Sequence, residues 1–292
     1  MATANQALMT NRPQTIQIYL PSGDPRGLRV AEITTRIVRV IEIPRSLVSE
    51  FATMSEANQV GLYFLLGGTD DGVSPKVYIG QSGNVGTRIL QHNQSKDFWN
   101  KALVAVSLTN NLTQTHALFL EWLSIKEAQQ ASRYQLENGN AGARPHTPAP
   151  LEADCHEIHE TARTLIATLG HPVFEPLRPL ESSKHEELLF CKASGADGKG
   201  YYTEEGFVVL KGSSGRRENV PSIQGTRDEV LREHLVETGV FAVDGERVVI
   251  QKDHLFSSPS RAAVALAGRT ANGWIEWKNG AGKTLDELKR VP

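Results

Sequence analysis

The chain has 292 residues, with 31 lysines and arginines against 33 aspartates and glutamates, and a formal net charge of −2. This length suits two domains of ordinary size, and the near-neutral charge argues against a protein that coats nucleic acid, because such proteins carry a strong positive excess. A hydrophobic content of 39% without a long apolar run predicts a soluble globular protein and excludes a membrane span, which requires roughly 20 apolar residues.

The amino-terminal residues 1–13 are polar and lack the basic start and apolar run of a secretory signal. Cys155 and Cys191 are far apart in the sequence and form no CxxC pair, which indicates neither a disulfide framework nor a zinc knuckle. The cysteine pattern predicts a reducing, cytoplasmic setting.

The first predicted elements are strands. Alternating β-rich runs over residues 15–20 and 36–43, with turn residues 21–24 after the first, predict a small β-meander. Ser46 is the expected N-cap of a short helix that reaches Phe51. A small β subdomain is therefore expected at the start of the chain.

A hairpin is predicted next. Residues 60–66 and 76–79 are β-rich, and the turn-forming run 67–72 joins them as antiparallel strands. The period then changes to that of a helix over residues 85–93, for which Asn84 is the expected cap.

The same region continues with a strand over residues 104–108 and a long helix over residues 113–135. Prolines 145, 148 and 150 then predict a linker, and a helix follows over residues 156–169. From about residue 185 onward, strands and helices alternate as in a second α+β domain, with strands at 207–210 and 247–251 and helices at 227–237 and 260–266.

The fold class predicted is α+β. The predicted division is an amino-terminal β-rich extension at 1–56, a central domain at 57–142, a proline-rich linker with a helix at 143–184, and a smaller α+β accessory domain at 185–292.

Two tyrosines lie beside glycines on the paired strands of the hairpin. Gly61-Leu62-Tyr63 and Tyr78-Ile79-Gly80 are the two tripeptides. A tyrosine in a strand usually packs with its hydroxyl in water, so the pair alone indicates little.

Arg88 and His92 are four residues apart and therefore project from one face of the predicted helix, while Val85 and Ile89 take the packing face. A guanidinium suits a phosphate, because it donates two parallel hydrogen bonds and keeps its charge. The alternatives are a surface salt bridge for Arg88 and a structural or solvated role for His92.

Glu121 falls among Ala117, Leu118, Trp122, Ile125 and Ala128 on the apolar stripe of the long predicted helix. A carboxylate buried there needs a cation, a metal ion or a wet cleft. One carboxylate with water and phosphate oxygens suits magnesium. A structural salt bridge to Arg88 is the alternative.

Local charge also favours a phosphate-facing surface. Between Lys76 and Lys101 the only acid is Asp97, against four basic residues: Lys76, Arg88, Lys96 and Lys101. A solvated face with a chance cluster of charge is the alternative.

Residues 60–140 resemble the core of GIY-YIG nucleases. The resemblance is carried by the paired tripeptides and by "KVYIGQSGNVGTRILQHN", "FWNKALV" and "NLTQTHALFLEWL", in order and at the right spacing. It implies an antiparallel sheet flanked by helices, and a metal-dependent endonuclease that hydrolyses phosphodiester bonds in nucleic acid, with DNA the expected substrate. It also implies a Mg²⁺ or Mn²⁺ cofactor.

The family's catalytic positions carry over to Tyr63, Tyr78, Arg88, His92 and Glu121, with Glu121 as the metal ligand. The substrate-binding positions expected are Lys76, Gln81, Lys96, Lys101 and Asn138, with Asn140 as an alternative to Asn138. Some relatives place a lysine where this chain has Gln81, so the proton donor to the leaving oxygen stays open. Tyr63 is expected to contact the attacking water, with His92 as the relay.

Two other readings of the same region stay open. It could be a non-catalytic nucleic-acid-binding or assembly module on a nuclease-derived fold, or a scaffold held by an Arg88–Glu121 salt bridge. Convergence of the side chains on an open basic cleft would favour catalysis, whereas a closed apolar shell around them would favour scaffolding.

In the remainder of the chain, His156 and His159 are three apart, which is not the HExxH spacing of zinc hydrolases and indicates a solvated face. The run "FSSPSRAAVALAGRTANGWIEWKNGAGKTLDEL" resembles a domain of unknown function that often accompanies these nucleases, which implies a protein partner or self-association through it. Trp274 and Trp277 are candidates for base stacking or, alternatively, core residues.

Overall fold

The structure is a computed structural model, and it describes residues 13–68, 75–139, 142–177, 187–192 and 194–290. The chain forms two compact units: residues 1–67, 76–129 and 134–174 make the first, and residues 68–75, 130–133 and 175–292 the second. Both combine helices with antiparallel strands, so the predicted α+β class is confirmed.

The first unit is built on a seven-stranded sheet in the order β1-β2-β3-β6-β4-β5-β7. Its strands are β1 (Ile16–Tyr19), β2 (Arg29–Ile33), β3 (Val38–Pro44), β4 (Gly61–Gly67), β5 (Lys76–Ser82), β6 (Lys101–Ser107) and β7 (Gln135–Leu136). Neighbouring strands are antiparallel, except that β5 and β7 are parallel.

The strands predicted as an extension at 1–56 belong to this same sheet. β3 pairs with β6 along seven positions, from Val38 opposite Ser107 to Pro44 opposite Lys101. Strand β2, which the sequence pattern did not predict, lies between β1 and β3. The extension is therefore not a subdomain of its own, because its hydrogen bonds continue the ladder that carries the central strands.

Four helices pack on the two faces of the sheet: α1 (Val48–Phe51), α2 (Val85–Ser95), α3 (Gln114–Ala131) and α4 (Ala149–Thr168). Successive residues of a strand point to opposite faces. Tyr63 and Leu65 accordingly join the core beneath α1 and α2, whereas Leu62 and Phe64 join the core beneath α3 and α4.

Local chemistry sets the ends of the helices. Asn84 caps α2 by accepting the Thr87 amide at 2.9 Å, as predicted. Helix α3 ends at Ala131 and not at the predicted residue 135. The next residue, Ser132, has a φ of 52°, which lies outside the helical region. Ser46 is not the cap of α1, since residues 45–47 form a 3-10 turn. Residues 69–72 of the predicted hairpin turn, and Asn140, lie outside the described residues.

Helix α4 begins seven residues before the predicted position, at Ala149 rather than His156. Pro148 is its N-cap and Pro150 lies in its first turn, where proline loses no hydrogen bond. Its residues Cys155 and Leu165 are fully buried in the core beneath α3 and α4. This part of the predicted linker is therefore core structure.

The second unit contains two sheets, in the orders β14-β10-β9-β8 and β11-β13-β12. The elements are β8 (Leu189–Cys191), β9 (Gly198–Thr203), β10 (Gly206–Val209), β11 (Ser214–Arg216), α5 (Arg227–Glu237), β12 (Phe241–Asp244), β13 (Arg247–Ile250), β14 (His254–Phe256), α6 (Pro259–Ala267), α7 (Gly273–Glu276) and α8 (Leu285–Lys289). Their core is centred on Phe207 and Trp277, both fully buried.

Within the described part of the chain, every helix is too short or too polar to cross a bilayer.

Candidate active site

The two tripeptides meet across the β4–β5 pair, where Tyr63 lies opposite Gly80. The Tyr63 ring covers this glycine so closely that a Cβ at position 80 would lie 2.3 Å from the hydroxyl oxygen. A Cβ at Gly61 would lie 2.7 Å from the carbonyl oxygen of Ala105. Both glycines of the motif are therefore steric requirements of a buried tyrosine on a closely paired strand.

Helix α2 brings Arg88 and His92 to the Tyr63 hydroxyl, as their spacing predicts. Tyr63 Oη lies 2.8 Å from Nε2 of His92 and accepts from Nε of Arg88 at 3.4 Å. Val85 and Ile89, on the other face of the helix, are fully buried. A single phenol thus links a histidine and an arginine that come from one helix face.

Burial controls the protonation of this pair. It raises the pKa of Tyr63 to about 12, against the opposing effect of Arg88. Burial and the charges of Arg88 and Lys96 lower the pKa of His92 to about 4. At pH 7 the tyrosine is protonated and the imidazole is neutral, so the hydrogen bond between them joins two uncharged groups.

Tyr63 is 1% exposed, so its hydroxyl does not reach solvent in this conformation. The prediction that Tyr63 contacts the attacking water is not met, because the ring lies between Gly80 and helix α2.

Tyr78 is the more open of the two tyrosines. It is half-buried, its ring centre is 5.3 Å from that of His92, and Nζ of Lys96 lies 4.4 Å from the ring centre. Tyr78 and Lys96 therefore border the buried Tyr63–His92 pair on its solvent side.

Arg88 is exposed, and its second contact is NH1 donating to the side chain of Gln91 at 3.1 Å. The described residues include no carboxylate paired with its guanidinium. Contacts with tyrosine hydroxyls raise the pKa of Arg88 further. The arginine is thus a permanent charge with donors available to an anion.

Glu121 is half-buried on α3. Burial raises its pKa, while the Gln81 amide and the charge of Arg88 act in the opposite direction. The expected apolar stripe is interrupted, since Leu118 is 41% exposed, so Glu121 lies at the border of the buried face. Of the described ion pairs none joins Glu121 to Arg88, which removes the main support for the scaffold reading.

Magnesium fits Glu121 in one respect. The side chain supplies a carboxylate without a cationic partner in the described structure, and magnesium keeps most of its waters. The described residues contain no cluster of three or more His, Cys, Asp or Glu suited to a metal ion. Glu121 would therefore be the one acidic ligand, with the other positions left to water and phosphate oxygens.

Two predicted substrate-binding residues, Gln81 and Asn138, already have hydrogen-bond partners within the protein. The side chain of Gln81 accepts from Gln114 at 2.6 Å, beside Glu121. Asn138 donates to the Ile79 carbonyl at 2.7 Å and accepts the Ile79 amide at 2.9 Å. Its amide is thus already bound to the strand that carries Tyr78, which is a positioning contact.

The predicted basic patch is divided by the sheet. Lys101 points to the opposite face from Tyr63 and pairs with buried Glu42 at 2.8 Å, while Lys76 pairs with Glu137 at 3.0 Å. Lys101 does not join the site, because strand alternation places it with the α3 and α4 side. Arg88 and Lys96 supply the basic character near Tyr78.

Sequence reasoning also misjudged His159. It is 4% exposed, with its ring centre 4.7 Å from that of Phe174, so the predicted solvated face is wrong for this residue.

Trp277 is fully buried and donates to the Pro259 carbonyl at 3.0 Å. Trp274 is half-buried under Arg290, whose guanidinium carbon lies 3.4 Å from the ring centre. Trp277 is therefore a core residue and Trp274 is already stacked.

Comparison with known proteins bears on the carboxyl-terminal part. The family model described as a domain of unknown function, DUF4357, matches residues 189–289, which confirms the predicted domain of unknown function. Searches of curated proteins and of solved structures found no match.

Proposed function

We propose that the first unit is a metal-dependent endonuclease of the GIY-YIG type that hydrolyses phosphodiester bonds in DNA. The proposal is carried by one observation: the Tyr63 hydroxyl joins His92 and Arg88 at 2.8 and 3.4 Å, and Arg88 is close enough to Glu121 to influence its pKa. These groups come from β4, α2 and α3, so the fold assembles them from distant parts of the chain.

In this proposal Arg88 binds the scissile phosphate. Its guanidinium is exposed and has no described carboxylate partner, so an incoming phosphate does not have to break an ion pair. Tyr63 and His92 act as positioning residues, because their buried hydrogen bond fixes the oxygen to which Nε of Arg88 donates. Stabilising charge on a phosphate in this way contributes about 10²–10³ in rate at comparable sites.

The group that contacts the attacking water is Tyr78 rather than Tyr63. Tyr78 is half-buried on the open side of the pair, with Lys96 over its ring. Lys96 adds a second positive charge for the strand being cut. Glu121 would hold Mg²⁺ or Mn²⁺, and the bound ion would stabilise the negative charge that develops on the phosphate and leaving oxygens.

The test is cleavage of supercoiled, linear, single-stranded and branched DNA, and of RNA, with magnesium or with chelator. We expect nicking of DNA only with the metal, and a loss of about 100-fold or more in Glu121→Gln and in Arg88→Ala. Glu50→Gln and Arg26→Ala, which change exposed residues of the same unit, are the matched controls and should cleave normally.

Cleavage that Glu121→Gln leaves unchanged would defeat the site assignment. DNA binding without cleavage under any of these conditions would instead support the non-catalytic binding module. Thermal unfolding of each variant separates loss of chemistry from loss of fold.

A further inference from the structure

In the second unit, the edge strand β8 presents an aromatic ring on its outer face. Leu189 and Cys191 are 2% and 0% exposed and belong to the core. Phe190 lies between them in sequence and so points to the other face, where it is half-buried.

Two lysines flank this ring. Phe190 pairs with Lys199 of β9 on one side, and on the other it exchanges backbone hydrogen bonds of 2.7 and 2.9 Å with Lys278. Residues opposite one another in antiparallel strands share a face, with Cβ atoms about 4.5–5.5 Å apart. The outer face therefore carries a row of lysine, phenylalanine and lysine.

The ring also borders a cavity of about 470 Å³, lined by Phe190, Lys192, Glu276, Lys278, Asn279, Gly280 and Gly282. Both glycines face open space. Asn279 fixes their turn by accepting the amides of Ala281 and Lys283 at 3.0 and 2.9 Å. The two glycines thus contribute backbone and no side chain to the lining, which leaves room for a planar group.

The charges around the cavity favour an anion. No carboxylate among the described residues pairs with Lys192, Lys199 or Lys278. The nearby acids already have donors: Glu276 is bound by Arg269 at 2.6 Å, Glu187 by Asn279 at 2.6 Å, and Glu287 by the Thr284 amide at 2.7 Å. The Thr284 contacts, together with the charges of Lys283 and Lys278, lower the pKa of Glu287.

We propose that this surface, made of Phe190, Lys192, Lys199, Lys278 and the glycine turn, binds single-stranded DNA. A base would stack on Phe190 while the adjoining phosphates contact the lysines, the combination typical of single-strand binding surfaces. Duplex DNA does not fit, because its base faces are covered by their neighbours. The inference rests on the proposed function, in that it gives the nuclease a separate contact with unpaired substrate.

The test uses the full chain and a labelled oligothymidine of about 20 nucleotides, with anisotropy measured in chelator over a series of salt concentrations. We expect Lys199→Gln/Lys278→Gln to weaken binding about tenfold and to reduce the salt slope by about 1.4, since each phosphate contact on a single strand contributes about 0.7. Phe190→Leu, which stays apolar, should weaken binding at least about fivefold with little change in slope.

The matched control is Arg227→Gln/Lys252→Gln, which removes two exposed positive charges from α5 and from the turn before β14. It should leave binding within about twofold of the unmodified chain. For each variant, a melting temperature that matches that of the parent confirms that the variant is folded. Phe190→Leu and Lys199→Gln/Lys278→Gln test the aromatic and the charged parts of the surface separately.

Any of three results would overturn the inference. The control and Lys199→Gln/Lys278→Gln could bind equally well, the unmodified chain could fail to bind the oligonucleotide, or it could bind duplex DNA or RNA more tightly. The proposed function is assessed separately by cleavage in Glu121→Gln. If the unmodified chain binds the oligonucleotide but does not cleave, only the proposed nuclease function is refuted. If the chain cleaves and these variants bind as well as the parent, only the proposed surface is refuted.

Discussion

Gly80 shows how strongly one residue determines the geometry of the candidate site. The Tyr63 ring occupies the place where any side chain at position 80 would begin. The ring in turn brings its hydroxyl to His92. The lack of a side chain at Gly80 is thus a condition for the Tyr63–His92 hydrogen bond. That bond fixes the oxygen to which Arg88 donates.

Gly80→Ala is expected to destabilise the protein by about 1–3 kcal/mol, the usual result of forcing an extra carbon into a packed core. Cleavage should fall further than the stability change explains, because Tyr63 must shift away from His92. Denaturant unfolding and the nicking assay measure the two effects. Gly139→Ala, where the added carbon meets nothing within 4 Å, is the control, and an equally small effect at both positions would contradict this account.

The sequence was sufficient to place Arg88 beside His92, because helical spacing alone puts residues four apart on one face. It was not sufficient for Lys101 or Asn138. Their partners, Glu42 and Ile79, are about 60 residues away in the chain, and spacing carries no information about such contacts. The burial of Tyr63 likewise depends on how α2 packs on the sheet.

At the scale of elements, α2 positions half of the candidate site. Its first turn is held by Asn84, whose side chain accepts the Thr87 amide and donates to Asn58 at 3.2 Å. Arg88 lies one turn beyond the cap. The order of this turn therefore affects the position of Arg88, the residue proposed to bind phosphate.

Asn84→Ala is expected to cost about 1 kcal/mol of stability, the typical effect of losing an N-cap, and to reduce cleavage through disorder at Arg88. Ser258→Ala removes the equivalent cap of α6, where Ser258 accepts the Arg261 amide at 3.2 Å. It should cost a similar amount of stability and leave cleavage unchanged. If both variants cleave alike, order at the start of α2 does not matter to the chemistry.

Elements with strong local patterns were predicted well, and those determined by their neighbours were not. Helix α5 matches its predicted range, residues 227–237, because its N-cap, Thr226, and the acids of its first turn are local signals. Strand β2 was missed because Arg29 and Glu32 interrupt its apolar pattern, and it is stabilised by pairing on both sides. Helix α4 was predicted too short, since its prolines are tolerated in a first turn but resemble a linker.

Over the whole chain, buried titratable groups make stability depend on pH. Burial lowers the pKa of His159 to about 3 and of His254 to about 4, and His92 behaves in the same way. Burial alone would raise the pKa of Glu42, but His171 and Lys101 outweigh it and lower the value to about 2. All four groups disfavour the folded state in acid.

A histidine with a depressed folded pKa gains its proton more readily when unfolded, so stability is lost as pH falls from about 6.5 toward 4. Glu42 adds a loss between about 4.5 and 2. We expect the denaturation midpoint to decrease steadily below pH 6.5. Leucine at position 159 cannot titrate. Between pH 7 and pH 5, the free energy of unfolding of His159→Leu should therefore fall by about 2 kcal/mol less than that of the parent.

Urea denaturation at pH 7, 6 and 5 measures this difference. His116→Leu, at a half-exposed position on α3, serves as the control and should follow the parent. If His159→Leu kept the pH dependence of the parent, folding would not lower the pKa of His159.

The packing of Tyr63 on Gly80 also constrains how this protein can change over evolutionary time. As long as position 63 carries a large ring, position 80 is closed to every other amino acid, because even alanine collides with that ring. The two positions should therefore covary among homologous sequences. A lineage that lost the tyrosine would be released from the glycine, so side chains at position 80 would mark descendants in which this site has been abandoned.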